Sequence, residues 1–235
     1  MTAGVGVPRL VLWDIDQTLI EAGTFGRAAY AAAFARVTGR SLDHPWQFDG
    51  RTELAAATDV LRLHGFAAEG ALLADFIGDI VAEAHRRAGE LATTGILLPG
   101  AAQALQAVGA VTGVRQSVLT GNLYPLAVLK LDAFGLSAQL DLRIGAYGGD
   151  AFDRCDLPPH ALARAERFLG HTYQPRDVTI VGDTRRDVEA ALAIGARAVA
   201  IATGTTSVAD LTAAGADVVL NDLTDAEAVT EAVLG

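Results

Sequence analysis

Cysteine is nearly missing from this chain. Cys155 stands alone among 235 residues, which excludes an intrachain disulfide and any zinc site built from several cysteines. Lysine is just as scarce: Lys130 is the only one, against seventeen arginines. Positive charge is short overall, with a formal net charge of −10 and a pI near 4.8. The basic footprint of a nonspecific nucleic-acid binder is therefore absent, and no nucleic-acid partner is expected. Long apolar runs are missing too, none approaching the ~18 residues that span a bilayer. The segment Met1–Pro8 has neither the basic start nor the apolar stretch of a signal peptide, so the expectation is a cytoplasmic protein with no membrane partner. Internal repeats and low-complexity linkers are also absent. What the chain does have is apolar content, 51% against 20% charged residues, enough for one large domain or for a domain with an insert.

The stretch that organises the rest is Leu10-Val11-Leu12-Trp13-Asp14-Ile15-Asp16-Gln17-Thr18. Its apolar run is short and rich in aliphatic and aromatic residues, as expected of a buried strand in a parallel sheet. The run ends in two carboxylates one residue apart, and in extended chain positions i and i+2 share a face. Asp14 and Asp16 can thus look into the space beyond the strand's carboxyl end, where open α/β sheets hold their ligands. Alone, the pattern is also satisfied by a strand that ends in an acidic turn.

Residues 21 to about 93 carry helical patterns and no convincing strand. Helices are expected over Phe25–Val37 with Gly39 as the stop, over Thr52–Leu63, and over Ala67–Ala88. Between the first two lies a loop, Asp43–Arg51, with aromatic and charged residues. From Leu98 the texture changes to strand–helix alternation. Strands are expected at Gln116–Leu119, Leu140–Ile144, Val178–Val181, Ala198–Ile201 and Val218–Leu220. Helices are expected at Ala101–Val108, Pro125–Phe134, Pro158–Leu169 and Arg185–Ile194. Such alternation predicts an α/β fold, a doubly wound parallel sheet with helices on both faces.

The second acidic pair lies in Gly182-Asp183-Thr184-Arg185-Arg186-Asp187, where a strand runs into a helix. Asp183 and Asp187 stand one turn apart. Singly, they also suit an N-cap and a first-turn acid complementing the helix dipole. Four carboxylates from two strand ends of one sheet edge would repel, since two at ~4 Å already cost about 1 kcal/mol in water. A hard divalent cation resolves this, and Mg²⁺ held by a few carboxylates beside a phosphate is a common solution. Thr120-Gly121-Asn122, at a third strand end and before a helix, offers a hydroxyl and backbone amides to a phosphoryl oxygen.

In this order, Asp14-x-Asp16-x-Thr18, Thr120 and Gly182-Asp183-Thr184-x-x-Asp187 resemble the haloacid dehalogenase-like superfamily of phosphohydrolases. The helical segment after the first motif resembles the small cap of its phosphoglycolate-phosphatase-like members. The resemblance implies a Rossmann-like core over 1–20 and 95–235, with an all-helical cap inserted over 21–94. It implies a Mg²⁺-dependent phosphatase acting on a small phosphorylated metabolite, as a monomer or homodimer. Asp14 would be the nucleophile, and Asp16 the acid for the leaving alkoxide and then the base for water. Asp14, Asp183 and the backbone carbonyl of Asp16 would hold Mg²⁺, with Asp187 close by. Thr120, with Gly121 and Asn122, would hold the phosphoryl group.

The resemblance also implies a cation on the phosphate, and here the sequence departs from the commonest pattern. Lys130 lies inside the helix after Thr120. Arg154, ahead of the helix that precedes the Asp183 strand, is better placed, and a guanidinium can grip two phosphate oxygens. A second departure is Gln17, where glycine is common; the change is expected to be tolerated, reshaping at most the turn or the entrance. Phe48-Asp49-Gly50-Arg51-Thr52 resembles a short cap motif whose Arg51 either reaches the leaving group or pairs with an acid inside the cap. A β-phosphoglucomutase-like phosphotransferase shares the acid pair and stays open. A 2-haloacid dehalogenase is disfavoured by Asp16, and a non-catalytic binding protein by the full set of acids. The histidines lack metal-ligand spacing, and Cys155 lacks a base partner.

Overall fold

Arg9–Trp13 forms strand β1, and every side chain from Leu10 to Trp13 is buried. In the computed structural model, which describes residues 8–43 and 50–235, the remaining elements follow in chain order. Strand β2 (Ile20–Glu21) leads into helices α1 (Phe25–Thr38), α2 (Glu53–Leu63), α3 (Gly70–Arg86) and α4 (Ala88–Thr94). Strand β3 (Ile96–Leu97) returns the chain to α5 (Ala101–Gly109), β4 (Val114–Val118), α6 (Tyr124–Ala133) and α7 (Leu157–Leu169). The chain ends with β5 (Val178–Gly182), α8 (Arg185–Ile194), β6 (Arg197–Ile201), α9 (Val208–Ala213), β7 (Val218–Leu220) and α10 (Ala226–Leu234).

Five strands form one parallel sheet in the order β4-β1-β5-β6-β7. The fold is thus the doubly wound α/β fold expected from the alternation, with a helical cap inserted after β1. The period of two along β1 builds the layers. Val11 and Trp13 join the cluster of Leu105, Val108, Val229 and Val233 on one face. Leu10 and Leu12 join Ala161, Ala165, Val188 and Ala191 on the other. Trp13 is fully enclosed, and its indole N–H donates to Gln116 Oε1 at 3.0 Å. Burying such a side chain with its polar atom satisfied contributes about 1.5–3 kcal/mol.

The helices α1 to α4 have their own core, with Phe34 and Phe76 in edge-to-face contact at 5.9 Å and Tyr30 packed on Phe76 at 5.6 Å. Leu123 and Leu126, at and within the start of α6, belong to this same cluster. The sheet core therefore lends the cap an apolar foothold. The antiparallel pair β2–β3 closes the two crossings between the units.

Several sequence expectations are corrected. Leu140–Ile144 is not a strand: Leu142–Ile144 is a 3₁₀ turn started by Asp141, whose carboxylate accepts from Arg143 N. Side-chain capping by Asp competes with ladder pairing at such a place. The expected helix over Ala67–Ala88 ends at Arg86, and a separate α4 follows. Strands β2 and β3 were not expected because two residues carry no periodicity. The loop Asp43–Arg51 lies largely outside the described residues, and with it Phe48 and Asp49. Among the described residues, no helix is long and apolar enough to cross a membrane.

Candidate active site

The sheet order reverses at β1, which lies between β4 and β5. Ligands of doubly wound sheets bind at the carboxyl ends beside such a switch point. A cavity of about 590 Å³ lies there, floored by Asp14, Asp16, Thr120 and Asp183 and walled on the cap side by Gly26, Arg27, Arg51 and Glu53.

Asp14, Asp183 and Asp187 are buried, and one carboxylate oxygen from each lies within 4.8 Å of the others. Asp14 follows β1, Asp183 follows β5, and Asp187 sits in the first turn of α8. The N-cap of α8 is Thr184, not Asp183, and Asp187 completes its capping box by accepting from Thr184 N at 3.0 Å. A cap of this kind is worth about 1 kcal/mol. Thr18 donates to Asp183 Oδ1 at 3.3 Å.

Among the described residues, one cation stands among these acids. Arg154 Nη2 lies 2.8 Å from Asp14 Oδ1 and 2.5 Å from Asp187 Oδ1, and the side chain is buried. Three carboxylates against one guanidinium leave two negative charges in an enclosed space. Burial first, then the charges of Asp187 and Asp16, push the Asp14 carboxyl up to about 6 against the pull of Arg154. Burial and the charges of Asp14 and Asp187 push Asp183 up to about 9. Burial would lower the Arg154 pKa, but Asp14 and Asp187 raise it above its ordinary value. The donor set is oxygen-only, anionic and short of two positive charges, which fits a hard divalent cation.

Asp16 has a different setting. Its side chain is 38% exposed, and Lys130 Nζ contacts both its oxygens, at 2.8 and 2.6 Å. Asn122 Nδ2 donates to Asp16 Oδ2 at 2.7 Å and to Thr120 Oγ1 at 2.8 Å. Both candidate cations are therefore in the site, Arg154 on Asp14 and Lys130 on Asp16.

The cap closes over this floor by main-chain contacts. Glu53 N donates to Gly121 O at 2.8 Å, and Leu54 N to Gly148 O at 3.1 Å. A Cβ on Gly121 would meet Arg51 O at 2.0 Å, and one on Gly148 would meet Gly121 O at 1.7 Å. Arg154 Nη1 also donates to Gly50 O at 3.2 Å. Arg51 pairs with Asp59 inside the cap, yet it remains in the cavity wall. Gln17 is the one described non-glycine residue with positive φ, at 61°, and its carbonyl accepts from Thr203.

Three cavity features had escaped the sequence reading. Glu53 receives the Tyr30 hydroxyl, and burial pushes its carboxyl up to about 7, opposed by that hydrogen bond and by Lys130. Thr203-Gly204-Thr205 follows β6 and lines the cavity; a hydroxyl beside glycine at a strand end, as in Thr120-Gly121, was the available signal. Lys130 was noticed, but its partner was not.

Fold and site together define a doubly wound α/β protein with a carboxylate centre at the switch point. The sequence profile of the haloacid dehalogenase-like hydrolases matches residues 11–192, and the chain belongs to that family. No curated protein matches it. Among solved structures, CbbY from Rhodobacter sphaeroides in complex with phosphate is similar at 21% identity and a TM-score of 0.69, over 93% of this chain and 96% of that one. A variant of CbbY in complex with xylulose-(1,5)bisphosphate gives 20% identity and 0.71, over 93% and 96%. A candidate β-phosphoglucomutase from Bacteroides vulgatus gives 18% identity and 0.70, over 97% and 91%. At these identities the likeness is one of fold.

Proposed function

We propose that this hydrolase is a Mg²⁺-dependent phosphatase that cleaves a small phosphorylated metabolite through an aspartyl-phosphate on Asp14. The observation that supports it most is the enclosed centre of Asp14, Asp183 and Asp187, two positive charges short, beside Thr120 and Arg154. The core comprises 1–20 and 95–235 and the cap 21–94. Asp14 and Asp183, with the backbone carbonyl of Asp16 and support from Asp187, would hold the metal. Bound there, Mg²⁺ supplies the positive charge that lets a carboxylate approach a phosphate dianion.

The remaining work belongs to the chain. An oxygen of Asp14 attacks phosphorus in line, and the bond from phosphorus to the leaving oxygen breaks. Asp16 gives that oxygen a proton, then takes one from the water that cleaves the aspartyl-phosphate, each transfer worth ~10²–10⁴-fold. Thr120 and the amides of Gly121 and Asn122 hold phosphoryl oxygens, and Arg154 neutralises them once its pairing with Asp14 is shared with substrate. Arg51 and Glu53 face the leaving group from the cap.

The test is release of phosphate from 4-nitrophenyl phosphate with and without Mg²⁺, by wild type and Asp14→Asn. Turnover that survives chelation, or an unaffected variant, would sink the reading. Transfer to an added sugar phosphate in place of phosphate release would move the assignment to a phosphotransferase.

A further inference from the structure

The cavity holds a cation that this mechanism leaves idle. Lys130 is the chain's only lysine, and it lies in the buried stripe of α6 formed by Leu126, Ala127, Lys130 and Leu131. A stripe at i, i+1, i+4 and i+5 is where a helix puts apolar residues. A lysine there carries a desolvation cost of several kcal/mol that must be offset by good partners.

The partners leave none of its donors unused. Nζ has three protons, and three acceptors lie in reach: Asp16 Oδ1 at 2.8 Å, Asp16 Oδ2 at 2.6 Å and Asn122 Oδ1 at 2.7 Å. Asn122 spends both amide protons, on Asp16 Oδ2 at 2.7 Å and on Thr120 Oγ1 at 2.8 Å. Only one orientation of its amide meets an ammonium with oxygen and a carboxylate with nitrogen. Oδ2 of Asp16 thus accepts two hydrogen bonds and is saturated. Oδ1 accepts one, and the side chain is 38% exposed to the cavity.

We infer that Lys130, through Asn122, is a positioning residue that fixes the Asp16 carboxylate with Oδ1 toward the leaving group. The inference rests on the phosphatase reading and deepens it. An unheld aspartate beside the turn at Gln17 would sample several rotamers. Clamped at both oxygens, it presents one oxygen at one place, and placement is what proton transfer in a transition state requires. Asn122 ties the same carboxylate to Thr120, so the proton donor and the phosphoryl holder share one frame.

The experiment is kcat/KM, which reports steps through departure of the leaving group, for 4-nitrophenyl, phenyl and 4-methoxyphenyl phosphate in Mg²⁺. Wild type, Lys130→Met, Asp16→Asn and Asp14→Asn are compared. The good leaving group needs little proton donation, so Lys130→Met is expected to stay within about threefold of wild type on 4-nitrophenyl phosphate. It is expected to fall about 100-fold on the two poorer leaving groups, the lower end of what a placed acid supplies. The slope against leaving-group basicity should match that of Asp16→Asn, which a merely structural loss would not reproduce. An equal loss on all three substrates, or no loss on any, overturns the inference while leaving the phosphatase reading intact. Wild type inactive on all three, or Asp14→Asn active, sinks that reading and the inference with it. If Lys130→Met does not fold, Lys130→Gln carries the same comparison; if neither folds, Lys130 is a structural cation and the inference fails.

Discussion

The two aspartates of the first motif are one residue apart and live in different environments. Asp14 lies in a sealed centre with Asp183, Asp187 and Arg154, where negative charge exceeds positive. Asp16 opens on the cavity, and its charge is matched one for one by Lys130. The sealed side is built to want another cation; the open side is already neutral. In the proposed reaction a strand end thus delivers a nucleophile and a proton carrier from nearly one point, with burial and the choice of cation separating their chemistry.

Removing the proposed nucleophile breaks the contrast most completely. Asp14→Asn is expected to lower turnover of 4-nitrophenyl phosphate by about 10⁴-fold or more, as loss of an essential catalytic group does. Arg154→Ala strips the sealed side of its only cation among the described residues. It should cost about 10²–10³-fold in kcat whatever the leaving group, and about 3–5 kcal/mol of stability in denaturant melts. If it instead spares 4-nitrophenyl phosphate and Lys130→Ala does not, the two cations have been assigned to the wrong sides.

Protons should report the sealed side's excess charge. Asp14 and Asp183 are held up, to about 6 and about 9, from an ordinary value of 3.8. Between about pH 4 and those values the folded protein keeps protons that the unfolded chain has released, so stability falls as pH rises. The metal-free protein is expected to melt higher near pH 5 than near pH 8, and Mg²⁺ should raise the melting temperature more at the higher pH. Calorimetry in chelator and in Mg²⁺ checks both signs; a stability that rises over this window without metal contradicts the charge count. Glu53, held up to about 7 by burial, lowers metal-free stability over the same window, so the pH dependence of the Mg²⁺ effect is what isolates the acidic centre. Glu83, lowered to about 2 by hydrogen bonds from Arg86 and Arg36, acts mainly below about pH 4.5.

The smallest effects lie at the rim. The Arg51–Asp59 pair is partly exposed, so Arg51→Ala should change stability by less than about 1 kcal/mol in denaturant melts. A change in KM beyond that would show that Arg51 meets the substrate. At Gln17, a left-handed backbone costs a non-glycine residue about 1–2 kcal/mol. Glycine relaxes that strain but loses more entropy on folding, so Gln17→Gly should stabilise by about 1 kcal/mol at most. A destabilised Gln17→Gly would mean that the side chain itself holds the turn.

The sequence carried the sheet and its acids well for a local reason. Period two in Leu10–Trp13 and carboxylates at strand ends are patterns of neighbouring residues, and neighbours are what a sequence displays. Strands of two residues, such as Ile20–Glu21, are too short to show a period. Leu140–Ile144 looked like a strand until Asp141 took its backbone for a turn. In the sequence Lys130 is only a cation inside the helix after Thr120, because its partner lies 114 positions away across the fold. Glu53 enters the cavity wall only when cap and core are brought together, a fact of tertiary packing that no window of sequence contains.

The seating of the cap has one more consequence. Two of its hydrogen bonds to the core run main chain to main chain, from the amides of Glu53 and Leu54 to the carbonyls of Gly121 and Gly148. Main chain meeting main chain asks nothing of the side chains at positions 53 and 54; it asks only that none be present at 121 and 148. Drift and selection can therefore rewrite much of the lid's inner surface, residue by residue, while the apolar seat at Leu123 and Leu126 and the Arg154 contact are kept. A lid hung in this way is a replaceable faceplate, and two glycines on the core are the fittings that let it be exchanged.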